Sequence, residues 1–398
     1  MTRIWILLAA LTRVAAALVL GDRLHFIDEA IYLDAARALL AGNGYGAGYV
    51  NVPAHPVFLA LLTGPAMILG QGQLVLVRCL HSVVTGVLGG WALHALGRRM
   101  FGPAAARMAL VFWALDPLVV VAGGLLYPEA IGAVVLTATL LALVTAAQDD
   151  RAPAAALAGV LLGLTVLFRP VAVVLIPVLA LWLAIAAAAP RARRARHAAL
   201  LLAACALTIA PWVLTNLARD GRVVPAGMTG LQAAPVARGE IHRTGLAASL
   251  GGAFWRQPIE MARRTIGELG HFWELYPTRL QTDEPGQRAS MHAKDARLPA
   301  DPSFAPSLRD TVSAVTFGSE LLLALVGLAV GWQRRRGMVV LLVGVALVYG
   351  LGYALFVAKL RYRIVVLPGV FLLAGVGATT VLAKVRGRRR GGVEILVG

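Results

Sequence analysis

Acidic residues are scarce in this chain of 398 residues: 20 Asp and Glu stand against 37 Lys and Arg, a formal net charge of +17. Charged residues make up only 14% of the chain and aromatics 7%, while 59% are hydrophobic. That mixture excludes a soluble domain. A mean hydropathy of +0.76 with repeated apolar runs near twenty residues marks a polytopic helical membrane protein. The two cysteines, Cys79 and Cys205, both fall inside apolar runs, so no disulfide framework or zinc spacing is available. The basic excess does not point to nucleic acid. Its arginines lie in short clusters between apolar runs, the pattern of cytoplasmic loops facing anionic lipid. The alternating glycines of residues 43–48 have neither a strand before them nor a suitably spaced helix after them, so they are no dinucleotide fingerprint. No internal repeat is visible. Arg13 interrupts the first apolar run, which reads as a retained signal-anchor rather than a cleaved signal peptide.

Ten spans are expected: residues 4–20, 74–96, 104–121, 129–146, 153–168, 171–188, 198–217, 317–332, 338–357 and 364–384. With that number the arginine clusters at 98–99, 191–196, 334–336 and 386–390 fall on one side. By the positive-inside rule that side, with both termini, is cytoplasmic. Three units follow. Residues 1–217 form an N-terminal membrane module with a functional first outer loop at 21–72. Residues 218–315 form an extracytoplasmic loop, and residues 316–398 the last spans with a basic cytoplasmic tail. Within the long loop, residues 253–277 read as an amphipathic helix rich in Trp, Tyr and Arg, suited to the membrane interface.

The most informative stretch follows the first span. Residues 26–42 read as a short amphipathic helix whose apolar stripe is Ile27, Ile31, Ala35 and Leu39, with Gly42 as its stop. Asp28 and Glu29 occupy its first turn, followed by Tyr32. Acids there complement the helix dipole. Neighbouring side chains point about 100° apart, so one can serve the helix end while the other faces a cleft. A second short helix starts beside Val52 and runs to about residue 69, carrying His55. Arg361 and Arg363 share a very short outer loop with Lys359 and Tyr362. Cations on that side suit a phosphate ligand, or they snorkel to ordinary headgroups. Arg169, at another outer helix end, carries the same two readings. Glu129 follows Pro128 at a helix start, where capping and function compete equally, and Asp116 lies before Pro117 inside the third span.

In this order the landmarks resemble the GT-C glycosyltransferases, nearest the superfamily of dolichyl-phosphate-mannose protein mannosyltransferases and lipid A aminoarabinose transferase (glycosyltransferase family 39). Asp28-Glu29 with Tyr32 matches the first-loop acidic motif, and the Pro-containing surface helix leads into the span carrying Arg78. Phe168-Arg169-Pro170, the stretch 210–225 and Arg361-Tyr362-Arg363 through Pro368 resemble later motifs. There are departures. His55-Pro56 stands where the family often has Lys-Pro or Pro-Pro, and Ala54 where some relatives carry an acidic metal ligand. Thr215 replaces an arginine. No cofactor and no metal are therefore expected, although a divalent ion is not ruled out.

The resemblance implies an all-α GT-C bundle of about ten membrane helices, with juxtamembrane helices in the first outer loop. It implies transfer of a sugar from a polyprenyl-phosphate donor to a hydroxyl acceptor (glycan, lipid, protein or small molecule) on the outer face. Asp28 and Glu29 are then the catalytic residues, with Asp28 taking the acceptor proton. Tyr32, His55, Glu129, Arg169, Arg361, Tyr362 and Arg363 are the substrate-binding set. High Arg and Ala usage suits a GC-rich bacterium and its plasma membrane, with membrane lipid and no nucleic acid as partner. The rival reading is a transporter or flippase of a polyprenyl-linked sugar. Transporters more often show repeated halves and broken midplane helices, which tilts the reading to the enzyme.

Overall fold

A computed structural model describes residues 2–46, 49, 51–67, 73–186, 189–220, 256–278 and 306–394. No strand occurs among them. Helices α1 (Thr2–Leu20), α2 (Ile27–Leu40), α3 (Ala54–Ala66), α4 (Gln73–Phe101), α5 (Pro103–Leu115) and α6 (Pro117–Gly124) come first. They are followed by α7 (Pro128–Asp149), α8 (Ala152–Phe168), α9 (Leu175–Ala186) and α10 (Arg191–Asp220). The chain ends with α11 (Pro258–Phe272), α12 (Pro306–Ala354) and α13 (Leu367–Glu394). Short 3-10 helices at Pro170–Val174 and Leu360–Val365 form two sharp turns. Proline opens α5, α6, α7 and α11, where its missing N–H costs nothing.

Ten spans were expected; six described helices are long and apolar enough to cross a membrane, or seven when the bent pair α5–α6 counts as one. The difference has three sources. Two expected spans are the short helices α8 and α9. The third is α12, whose 48 residues Ser307–Ala354 would stretch about 72 Å if straight, over twice the hydrocarbon thickness. It is not straight: Arg335 has φ −144° and ψ 49°. A methyl group placed on Gly331 would meet Val339 at 2.9 Å, although eight helical residues should separate them by about 12 Å. The chain reverses there, and the expected eighth and ninth spans are the two arms of α12.

The break between α5 and α6 is compensated in detail. Asp116 caps α6 by accepting from the Val119 N–H at 2.7 Å, and the two helices meet at 57°. Pro117 has no N–H to offer the Trp113 carbonyl four residues back. Arg13, only 1% exposed, supplies it instead at 2.8 Å, donates also to the Ala9 carbonyl at 2.7 Å, and lies 4.5 Å from the Trp113 ring centroid. Thr12 likewise donates to the Ala114 carbonyl at 2.9 Å. The charge that interrupts the first apolar run is thus repairing a proline break a hundred residues away.

In α2, Ala30, Leu33, Ala35 and Ala36 are buried and Ile27 and Leu39 pack partly buried against the core, so of the expected stripe Ile31 alone, 42% exposed, turns outward. Two sequence boundaries shift. Helix α12 begins at Pro306, ahead of the expected unit boundary at 316. The amphipathic helix of the long loop is shorter than expected, and residues 221–255 and 279–305, with most of that loop and the end of the 210–225 motif, lie outside the described residues.

Helix α11 holds the turn between α12 and α13 in place. Arg264 donates to the Phe356 carbonyl at 2.6 Å, and Glu268 accepts from the Ala358 N–H at 2.8 Å. Beneath it, α12 and α13 approach backbone to backbone: a Cβ on Gly327 would strike the Leu373 carbonyl, and one on Gly377 the Leu323 carbonyl. Small residues permit such contact between membrane helices. We expect Gly377→Val to force them apart at a cost of about 1–3 kcal/mol, visible as a lower thermal midpoint of the solubilised protein. An unchanged midpoint would show that the two helices do not pack this way.

Candidate active site

The two adjacent acids of α2 divide their work. Glu29 is fully buried. Its Oε1 accepts from Arg78 Nη1 at 2.7 Å and the Leu126 N–H at 3.1 Å; its Oε2 accepts from the N–H groups of His25 at 2.8 Å and Phe26 at 3.3 Å. Four donors fill this carboxylate, so the expectation that it is catalytic is corrected: it clamps the start of α2 to α4 and to the end of α6. Arg78 completes the clamp through the carbonyls of Gly124 at 2.8 Å and Arg23 at 2.7 Å.

Asp28, one residue earlier, points the other way into a groove of about 400 Å³. That volume falls in the range of small-molecule sites. Its Oδ2 accepts from Arg361 Nη2 at 2.5 Å. Arg361 Nε lies 3.2 Å from Glu129 Oε1, and Arg169 pairs with the same oxygen. Asp28, Arg361, Glu129 and Arg169 thereby form one alternating chain of charge. Aromatic rings support it. The Arg361 guanidinium lies 4.3 Å from the Tyr127 ring centroid, and both arginines flank Tyr362 at 5.3 and 5.2 Å. Tyr362 stacks on Tyr353 with centroids 4.2 Å apart. Burial pushes the Asp28 carboxyl up, but Arg361, by charge and hydrogen bond, together with Lys359 and Arg169, outweighs it and leaves the group below its ordinary range.

The remaining expected site residues separate into those in the groove and those behind it. Glu129 and Arg361 line it beside Asp28. Arg363 also lines it but turns away from Arg361. It donates to the Glu274 carbonyl and lies 3.5 Å from the Phe317 centroid, so the expected guanidinium pair is not formed. Arg169, Tyr362, Tyr32 and His55, also expected to bind substrate, are not among the residues lining this groove. Arg169 and Tyr362 support Arg361 from behind. His55 is completely buried, with Nε2 3.0 Å from the Leu126 carbonyl, and Tyr32 packs edge-on against it at 4.8 Å. Burial holds the His55 imidazole well below its usual pKa and raises the Tyr32 hydroxyl well above its own. Both are packing residues for α2 and α3.

Sequence reasoning missed Tyr127, which forms the floor under Arg361; its adjacency to Glu129 was the available signal. Lys359, noted in the sequence beside Arg361, also lines the groove. Deeper in, the groove runs between α6 and the first arm of α12, lined by Leu118, Val121, Leu125 and Val312, with Asp116 at its inner wall. One end is charged and the rest apolar, the shape of a lipid with an anionic head. Among the described residues no three His, Cys, Asp or Glu side chains are grouped as metal ligands.

Comparison with solved structures identifies the architecture. The archaeal oligosaccharyltransferase AglB from Archaeoglobus fulgidus, in complex with an inhibitory peptide and a dolichol-phosphate, overlaps 98% of this chain with a TM-score of 0.57 at 15% identity. The same protein in complex with Zn and sulfate overlaps with a TM-score of 0.59 at 16% identity. The chain has the GT-C fold. It spans about half the length of those relatives, 51% in each case. The family model described as dolichyl-phosphate-mannose-protein mannosyltransferase matches residues 51–214 of this GT-C chain, from the loop before α3 into α10. ArnT from Cupriavidus metallidurans bound to undecaprenyl phosphate overlaps only at 0.42, with 15% identity over 95% of this chain and 78% of its own, too loose a likeness to add to this. No curated protein matches the sequence.

The division between the two acids is testable by stability. Breaking a fully buried ion pair costs about 3–5 kcal/mol. We expect Glu29→Gln to lower the thermal midpoint markedly and Asp28→Asn to leave it nearly unchanged. Equal midpoints for the two variants would contradict the assignment.

Proposed function

We propose that this chain is an inverting membrane glycosyltransferase that moves a sugar from a polyprenyl-phosphate donor to an acceptor hydroxyl on the extracytoplasmic face. One observation carries the reading: a carboxylate and an arginine paired at the charged end of an apolar groove, in a GT-C fold. The lipid tail occupies the apolar groove and the phosphate the cationic end. The dolichol-phosphate in the AglB complex supports that class of carrier.

The chemistry follows from the charge chain. The acceptor oxygen attacks the anomeric carbon opposite the phosphate, the bond from that carbon to the phosphate oxygen breaks, and its electron pair leaves with the lipid phosphate. The acceptor proton passes to Asp28. Displacement from the opposite face inverts the anomeric centre. As Asp28 gains the proton its charge disappears, while the phosphate changes from a singly charged diester to a more highly charged monoester. Arg361 then completes its turn from the carboxyl to the phosphate, where developing charge needs it. Glu129 and Arg169 are positioning residues that keep Arg361 aimed. No metal and no cofactor has a step.

Sidedness has structural support. Arg99 pairs with Asp149 at 2.9 Å and Arg193 pairs with Asp150, so the ends of α4 and α7 share one face with the start of α10. That face carries the basic clusters and is read as cytoplasmic. The site at Asp28 opens on the other. A bacterial plasma membrane is the proposed location, with both termini inside.

The decisive experiment measures sugar transfer from a panel of labelled polyprenyl-phosphate sugars by the purified full chain. General-base catalysis contributes about 10²–10⁴-fold, and Asp28→Asn should lose that factor at unchanged folded yield. No donor consumption by the wild type, with labelled lipid crossing reconstituted bilayers, would replace the enzyme with a transporter.

The pH profile tests the pairing separately. The lowered Asp28 pKa places the acid limb of kcat/KM below the ordinary carboxylate value of about 4. In Arg361→Gln burial acts with less opposition, so the limb of the residual activity should move up. A limb that stays in place would remove Asp28 from the rate equation.

A further inference from the structure

Four cationic side chains line the groove: Arg309, Lys359, Arg361 and Arg363. Three are committed in the structure. Arg361 serves Asp28 and Glu129, and Arg309 pairs with Asp310 at 2.8 Å. Arg363 donates to the Glu274 carbonyl and covers Phe317. Lys359 makes no side-chain hydrogen bond and no ion pair among the described residues. Its backbone is nevertheless firmly placed. Its carbonyl accepts from the Tyr362 N–H at 2.9 Å, and the neighbouring Ala358 is anchored by Glu268 of α11. The chain has therefore built a fixed mount for an unengaged ammonium. Counted formally, the cluster of Lys359, Arg361 and Arg169 with Asp28 and Glu129 carries one positive charge.

We propose that Lys359 is the anchor for the donor's phosphate, engaging it while Arg361 is still held by Asp28. This rests on the polyprenyl-phosphate glycosyltransferase reading and adds a residue and an order of events to it. The ammonium is a compact charge with three rotatable donors on a flexible stem, suited to capturing a phosphate oxygen without a fixed angle of approach. Arg361, a planar fork already paired with two carboxylates, suits the later, geometrically demanding state. Asp28 and the phosphate then compete for one guanidinium. Donor binding loosens the carboxylate from Arg361 and so raises its basicity just when a base is required. In the free site the same pairing keeps Asp28 a weak base, which discourages transfer to water before the donor is seated.

The competition makes an unusual demand: removing the catalytic carboxylate charge should improve phosphate binding. The test uses the full chain in phosphatidylcholine nanodiscs, with affinity read by thermophoresis for undecaprenyl phosphate, phosphatidylglycerol and inorganic phosphate. A charge-assisted contact is worth about 1.5–3 kcal/mol, or at least about tenfold in affinity. Lys359→Ala should weaken undecaprenyl phosphate by at least that factor, Lys359→Arg should restore most of it, and Asp28→Asn should bind more tightly than wild type. Equal affinity of wild type and Lys359→Ala overturns the inference and leaves the glycosyltransferase reading standing. Unimproved binding by Asp28→Asn overturns the competition with Arg361. Equal affinity for phosphatidylglycerol makes Lys359 an ordinary headgroup contact and overturns the anchor. If the wild type binds no polyprenyl phosphate at all, the parent reading falls and takes this inference with it.

Discussion

Arg361 is the contact on which the site depends. It joins Asp28, 333 residues earlier in the chain, to Glu129 at the start of α7, and it stands on the Tyr127 ring. A guanidinium in that position would be costly if left alone, because burial strips water from the charge. Two carboxylates and two aromatic faces compensate it, and Arg169 balances the second carboxylate in turn. The arrangement is stable only because it is nearly complete. What remains over is a single formal positive charge, the basis of the phosphate site proposed above.

The same accounting governs the bundle away from the site. Membrane helices do not tolerate open backbone groups, yet α5 and α6 break at Asp116 and Pro117 where they line the groove. The carbonyls freed by the break are met by Arg13 and Thr12 of α1. Glu29 and Arg78 do similar work at the start of α2, closing on the backbone of residues 23–26 and 124–126. These buried polar clamps are expensive to break and hold α2 rigid against α4 and the end of α6. A rigid α2 matters because the direction of Asp28 is set by it.

The adjacency of Asp28 and Glu29 shows how helical geometry converts neighbouring residues into different chemistry. About 100° of rotation separates them, enough to send one into a groove and the other into the core. The pair Arg361 and Arg363 repeats the lesson in a 3-10 turn. Two cations that look like one phosphate clamp on paper diverge, one to carboxylates and the other to a carbonyl and the Phe317 ring. Function is divided among positions that share a motif.

Composition and hydrophobic run length were enough to mark a helical membrane protein, because burial in lipid imposes long-range rules on every span. Asp28, Glu129 and Arg361 were legible as candidates because ionisable residues at outer helix ends are rare in so apolar a chain. Their pairing was not legible. Nor were the burial of Glu29, the retreat of His55 and Tyr32 into packing, and the freedom of Lys359. Each depends on which groups meet across tens or hundreds of residues, and spacing along one helix carries no information about partners on another. The reversal of α12 at Arg335, by contrast, was legible, because the arginine cluster at 334–336 already separated two expected apolar spans. Residue types proposed the chemistry; tertiary contacts assigned it.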